Sequence, residues 1–187
     1  DLVLIVQLIS SNLLKNINCK NVVFIPMYDH SRHWGINEWV DVFGLKIISP
    51  TIGVYENLKN FGLNSLKIQR YPEPDDYQKQ NFKKIFFWNR VETIDYKLVI
   101  TLFKNYKFNN LNIHKNYDPN HNPLEPTISE INDYKITFSD WFDNRQDYLK
   151  FLDNFGIYIA PRPYEGGGAS FIDSMKKGKI VVAPKHS

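Results

Sequence analysis

At 187 residues, 43% of them apolar, the chain is long enough for one large or two small domains with a sizeable core. Its net charge of +3 comes largely from scattered lysines and lacks the clustered basic face that nucleic-acid binding needs. A single cysteine, Cys19, excludes an internal disulfide and suits a reducing compartment, and no Cys or His cluster has the spacing of a zinc site.

In chain order, Asp1 to Gln7 is apolar but short, without a basic leader or a small-residue cleavage site. It reads as a buried strand rather than a signal peptide or membrane span. Leu8 to Leu14 reads as a short helix and Asn21 to Met27 as a second strand. The polar stretch Tyr28 to His33 then reads as a loop. Ligand groups of α/β sheets gather at the carboxyl ends of strands, so Asp29, His30 and His33 are acceptor-side candidates, a solvated connection being the plainer alternative. Trp34 to Phe43 is aromatic and partly helical, Leu45 to Ser49 a third strand, Thr51 to Phe61 a helix and Asn64 to Gln69 a fourth strand. Arg70 to Tyr77 combines prolines and acids with no periodicity, which marks a linker, and its adjacent Asp75 and Asp76 read as solvated acids rather than metal ligands.

Lys84 to Trp88 opens a new series, with Arg90 just past its end. A helix is expected through Phe103, a strand at Leu111 to His114, a loop at Tyr117 to Pro126 and a short helix at Thr127 to Asp133. Lys135 to Ser139 reads as a strand, and Asp140 to Phe155 holds a helix with Tyr148, Leu149 and Leu152 on one face. His114, His121 and His186 have no partners at informative spacing and read as solvated. Alternating strands and helices give an α/β architecture with parallel sheets.

The most informative stretch is the last. Ile157 to Ala160 is continuously apolar, as a strand covered on both faces is, and Pro161 and Pro163 stop it. From Gly168 the spacing of Phe171, Ile172 and Met175 predicts a helix with Gly178 at its C-cap, and Lys179 to Ala183 reads as the next buried strand. Gly166, Gly167 and Gly168 would leave bare N–H groups where that helix begins, a place that attracts phosphate. Glu165 precedes this turn and Asp173 follows about two turns into the helix. Carboxylates repel phosphate but accept hydrogen bonds from sugar hydroxyls. The plainer alternative is a flexible loop followed by a solvated Asp173.

Glu165, Gly166, Gly168, Asp173, Met175, Gly178 and Pro184, in that order, resemble the donor-site signature of GT-B glycosyltransferases of the retaining family-4 type. Asp173 stands where that family usually has Glu. The resemblance implies an α/β fold with Rossmann-like parallel sheets of the GT-B type. Residues 1–69 would form part of the N-terminal, acceptor-side domain, 70–82 a linker and 83–187 part of the C-terminal nucleotide-sugar-binding domain. Opening on a core strand without Met and stopping just after another, the chain reads as part of a longer protein.

The resemblance also implies roles. Arg90 would face the donor diphosphate, the glycine turn would cradle it, Glu165 would hold sugar hydroxyls and Asp173 the ribose. The family's Lys five positions after the Arg is Asp95 here, with Lys97 the nearest lysine. Arg162 is a second cation, either touching donor or paired with Glu165 or Asp173, and Tyr164 reads as packing. The implied reaction transfers a sugar from a nucleotide-diphosphate donor to a hydroxyl with retention, using neither cofactor nor metal. Implied partners are the nucleotide sugar and a carbohydrate or lipid-linked acceptor, with room for peripheral membrane contact. The implied setting is bacterial surface polysaccharide synthesis, in the cytoplasm or at the inner face of the membrane. A non-catalytic nucleotide-sugar-binding module is the competing class. An enzyme with a reduced nucleotide cofactor would need a Gly-x-Gly-x-x-Gly run after the first strand, and there is none.

Overall fold

In the computed structural model, which describes residues 1–69, 72–76 and 78–185, the apolar runs form two parallel sheets. The chain divides into one unit made of Asp1–Tyr71 with Tyr164–Gly167 and another made of Pro72–Pro163 with Gly168–Ser187. Arg70, Tyr71 and Tyr77 of the expected linker lie outside the described residues, as does His186.

The first unit has strands β1 (Val3–Gln7), β2 (Val22–Pro26), β3 (Lys46–Ser49) and β4 (Leu66–Lys67), paired in that order and parallel throughout. Its helices are α1 (Ser11–Lys15), α2 (Tyr28–Ser31), α3 (Ile36–Val40) and α4 (Ile52–Asn60). Polar caps set two of the helix starts: Ser10 accepts from the Leu13 N–H and Thr51 from the Val54 N–H. Phe24, Trp39, Val42, Val54 and Leu58 form a fully buried core.

Two expectations are corrected here. β1 is an edge strand with only Ile5 buried, whereas Leu4 and Val6 are 57% and 52% exposed. Tyr28–Ser31 is a helical turn rather than a loop. The buried Ser31 closes it by donating from both its N–H and its hydroxyl to the Met27 carbonyl, each at 2.9 Å, and Asn57 donates to the Ser31 carbonyl.

The second unit contains β5 (Lys84–Asn89), α5 (Tyr96–Leu102), β6 (Asn110–Lys115), α6 (Ile128–Tyr134), β7 (Ile136–Ser139), α7 (Arg145–Leu152), β8 (Ile157–Ile159), α8 (Ala169–Lys176) and β9 (Ile180–Val182). Its sheet has the order β7-β6-β5-β8-β9, all parallel. Alternate residues of each strand point to opposite faces. Ile85, Phe87, Leu111, Ile113, Ile157 and Ile159 pack with Tyr96 and Val99 of α5. Phe86, Tyr158 and Ala160 pack with Leu152 of α7 and Phe171 of α8. With both faces covered, β5 and β8 must be apolar in every register, which is why they read as continuous apolar runs.

The edges of this sheet depart from expectation. β9 is not the buried strand that its composition predicts: as an edge strand it leaves Ile180 50% exposed. Its neighbour Lys179 is the buried residue, donating to the Phe155 carbonyl at 2.7 Å and to Gln80 Oε1 at 3.1 Å. Burial pushes the Lys179 ammonium down to about 8. Asp75 is exposed, as expected, and its carboxylate pairs with Lys176 at 2.6 Å while its N–H donates to the Lys176 carbonyl. Gly178, with φ +74°, follows the C-cap residue Lys177 of α8, one position beyond the cap expected for it. Among the described residues no helix is long and apolar enough to cross a membrane.

Phe86 is the aromatic centre of the second unit, stacking on Tyr158 at 5.7 Å and meeting Tyr148, Phe151 and Phe155 edge-on. Phe86→Ala should destabilise the protein by about 3–5 kcal/mol, through lost transfer energy and a cavity that this ring cluster cannot collapse to fill. Phe86→Leu should cost less than half of that, as read from urea unfolding midpoints at an unchanged slope.

Candidate functional site

The sheet order places a switch point between β5 and β8: β6 and β7 extend the sheet on one side of β5, and β8 and β9 on the other. Open α/β sheets bind ligands in the crevice outside the carboxyl ends of the strands at such a point. Arg90 follows β5, Arg162 follows β8 after Ala160 and Pro161, and Asp118 lies in the loop after β6.

These three side chains meet. Arg90 donates Nε–H to Asp118 Oδ1 at 2.7 Å, and its Nη2 pairs with the same oxygen at 2.6 Å. Arg162 donates Nε–H to Oδ2 at 2.5 Å and Nη2–H to Oδ1 at 2.6 Å. The Asp118 N–H donates to the Arg90 carbonyl, which fixes the loop to the end of β5. The Arg90 guanidinium also lies 5.0 Å from the centre of the Trp88 ring, within cation–π range. The carboxylate is 12% exposed and each guanidinium 24%, so the cluster is largely shielded but reachable from solvent. Burial opposes ionisation of Asp118, yet the Arg162 hydrogen bonds and both guanidinium charges outweigh it and hold the carboxyl below its ordinary value. Arg90 was expected at the donor and Arg162 either there or in an ion pair with Glu165 or Asp173, whereas Asp118 was not foreseen. Its position at the carboxyl end of a strand was the available signal.

Beside this cluster His114, expected to be solvated, is 1% exposed. It stacks on Phe142 at 5.3 Å and meets Trp88 edge-on. Ser139 gives its hydroxyl proton to Asn112 Oδ1 at 2.8 Å, so its 3.0 Å contact with His114 Nδ1 is one in which the ring N–H donates. Asn112 in turn donates to Thr137, closing a polar ladder between β6 and β7. Neighbouring Asn89 is equally buried, and its Oδ1 has no hydrogen-bond partner among the described residues. His121 is exposed, yet it too has a partner, bonding to Glu92 through Nδ1.

At the start of α8, Gly168 adopts a left-handed conformation, φ +60°, and has no side chain with which to cap the helix. Asp173, inside α8, is gripped through both oxygens by Arg145 Nη2 at 2.7 and 2.6 Å. Arg145 was not foreseen; its side chain is 60% exposed and that of Asp173 13%. Asp95 caps α5 by accepting from the Leu98 N–H at 2.8 Å. Lys97 lies exposed on the first turn of α5, where its charge helps to hold Glu130 below its ordinary carboxyl value after the larger effect of the Thr127 hydrogen bonds.

The other candidates belong to the first unit. Glu165 is half-buried, and the guanidinium of Arg32 lies 3.6 Å from the centre of the Tyr164 ring. A Cβ on Gly166 would fall 2.7 Å from Asp29 Oδ1 and 3.1 Å from Met27 Cβ, so a side chain there would have to displace the Asp29 carboxylate. Asp29 accepts from the His30 N–H at 3.1 Å, and His30 Nε2 lies 2.5 Å from Gln7 Nε2. His33 is exposed. Among the described residues no group of three or more His, Cys, Asp or Glu is placed to hold a metal ion.

The two parallel sheets define an α/β fold of the GT-B, Rossmann-like type. The solved structures it resembles include S. aureus TarM, as a point mutant in complex with fondaparinux, alpha-GlcNAc-glycerol and UDP, at TM-score 0.63 and 18% identity. A second TarM crystal structure matches at TM-score 0.60 and 18% identity. Each match covers 93% of this chain and 39% of the TarM chain, so the chain spans about two-fifths of that protein's length. No protein-family model matches the chain, and no curated protein sequence does.

Burial pushes His114 down to about 4, the charge of Asp140 opposing this and that of Arg90 adding to it. Its unfolded value is near 6.5, so between the two the folded state binds fewer protons than the unfolded chain, and stability falls as pH drops through that window. Wild type should lose about 1–2 kcal/mol more than His114→Phe between pH 7 and pH 5, allowing for residual screening. Urea unfolding of both proteins at the two pH values checks this.

Proposed function

We propose that this chain is part of a metal-independent, retaining glycosyltransferase that uses a nucleotide-diphosphate sugar, residues 83–187 belonging to its donor-binding domain and residues 1–69 to its acceptor-side domain. The observation that carries the reading is the convergence of Arg90 and Arg162 at the switch point of the second sheet. Planar guanidinium groups suit phosphate oxygens and keep their charge at any physiological pH. The TarM structure with bound UDP supports a nucleotide as the ligand.

In this reading the bond between the anomeric carbon and the donor phosphate oxygen breaks, and a bond to the acceptor oxygen forms on the same face. The acceptor proton passes to a donor phosphate oxygen. Negative charge grows on the leaving diphosphate, where the arginines and the start of α8 stabilise it without reorganising. Gly166, Gly167 and Gly168 let the backbone approach the phosphates. Glu165 holds sugar hydroxyls, and Asp173 turns from Arg145 to the ribose. Asp29 and His30 serve the acceptor side, a carbohydrate or lipid-linked hydroxyl, and Lys97 is the remaining candidate cation. Bacterial surface polysaccharide synthesis at the cytoplasmic face of the membrane is the setting that this chemistry fits.

A binding module without turnover is the second reading, favoured by the carboxylate that already engages both arginines and by Asp95 in place of a lysine.

Calorimetric titration with UDP, GDP and ADP should show micromolar binding of one of them, weakened about tenfold or more by Arg90→Ala. No binding of any of the three overturns the donor-site reading. Where binding holds, NMR of the anomeric proton after incubation with the matching sugar nucleotide and a simple glycoside acceptor separates transfer with retention from binding alone.

A further inference from the structure

We infer that Asp118 is a positioning residue for a two-arginine anion clamp. The inference rests on the donor-site reading given above. A guanidinium presents two edges to acceptors, one formed by Nε and Nη2 and the other by Nη1 and Nη2. Asp118 takes the Nε and Nη2 edge of Arg90 and of Arg162 at once, all four contacts lying between 2.5 and 2.7 Å. Held along this edge, the Arg90 plane is fixed with its Nη1 and Nη2 edge turned away from the carboxylate, and that is the edge a second anion can grip bidentately. The three groups together carry two positive charges and one negative, a net positive charge that attracts an anion.

The loop that supplies Asp118 is itself anchored for this purpose. Its N–H bonds to the Arg90 carbonyl at 3.0 Å, so the loop after β6 and the end of β5 move as one. Trp88 lies beneath Arg90 and limits its tilt. Two guanidinium groups left side by side without a shared carboxylate would repel each other and swing apart into solvent.

Simple charge counting predicts the opposite of positioning. Removing the Asp118 charge makes the clamp more positive, so if raw charge governed binding, the variant would hold a diphosphate more tightly. If orientation governs it, the variant binds more weakly.

The test is calorimetry of wild type, Asp118→Asn and Asp118→Glu with UDP, GDP and ADP and with the corresponding monophosphates, thermal unfolding confirming that each variant is folded. Expected is a fall of about tenfold or more in the affinity of the diphosphate that wild type binds for Asp118→Asn, and a smaller fall for Asp118→Glu, which keeps the charge but displaces it by one methylene. The ratio of diphosphate to monophosphate affinity should drop with it. If Asp118→Asn does not fold, Asp118→Glu alone decides by the same comparison. Unchanged or tighter diphosphate binding overturns the inference and leaves the donor-site reading intact, as does an equal loss of diphosphate and monophosphate binding. Failure of wild type to bind any diphosphate overturns the donor-site reading and this inference together.

Discussion

A parallel sheet covered on both faces can place polar chemistry only where its strands end. β5 and β8 illustrate the constraint: Ile85, Phe86, Phe87, Ile157, Tyr158 and Ile159 are buried whichever way they point. The first cationic side chains after these apolar runs come where the strands stop, at Arg90 and Arg162. Polar residues inside the sheet are accommodated where strands bond one another's side chains. The Asn112, Thr137, Ser139 and His114 ladder does this along β6 and β7, each group using its neighbour in place of water.

The same constraint shapes the electrostatics of the site. Two cations gathered at one end of an apolar sheet lose hydration and repel each other unless a counter-charge comes with them. Asp118 is that counter-charge, and its shielded carboxylate stays ionised because two guanidinium groups surround it. His114, on the neighbouring strand, meets the opposite fate. Its ring bonds to a neutral hydroxyl instead of a carboxylate, so burial keeps it neutral and turns it into a packing and hydrogen-bonding element. One sheet end thus holds a charged cluster and a neutral histidine, and the difference lies in the partners that the loops bring.

How far the chain could be read without coordinates follows from the same physics. Continuous apolar runs announce strands covered on both faces, so β5 and β8 were legible, as were the helix that begins after Gly168 and its glycine stop at Gly178. Edge positions were not. β1 and β9 carry the apolar composition of core strands, but only one side of each is paired in this sheet order, which composition does not encode. Burial of single polar groups was equally hidden. Lys179 and His114 are buried because a carbonyl, an amide and a hydroxyl from distant segments wait for them. The helical turn at Tyr28 depends on Ser31 bonding back to Met27, a local signal present in the sequence but outweighed there by the polarity of the stretch.

Site residues raise a sharper version of this point. A motif fixes residue types along the chain, but the state of each residue is set by partners that the motif does not contain. Asp173 stands at a motif position and is engaged by Arg145, 28 positions away. Arg162 reaches Asp118 across 44 positions and Arg90 reaches it across 28. Asp95 stands where the resemblance calls for a lysine, and the reason is local: an aspartate there caps α5 by accepting from the Leu98 N–H, which a lysine cannot do. Arg162 extends from the end of β8 to the carboxylate that Arg90 also holds, a meeting of two cations that no spacing along the chain announces and that follows from which strand ends are neighbours in the sheet.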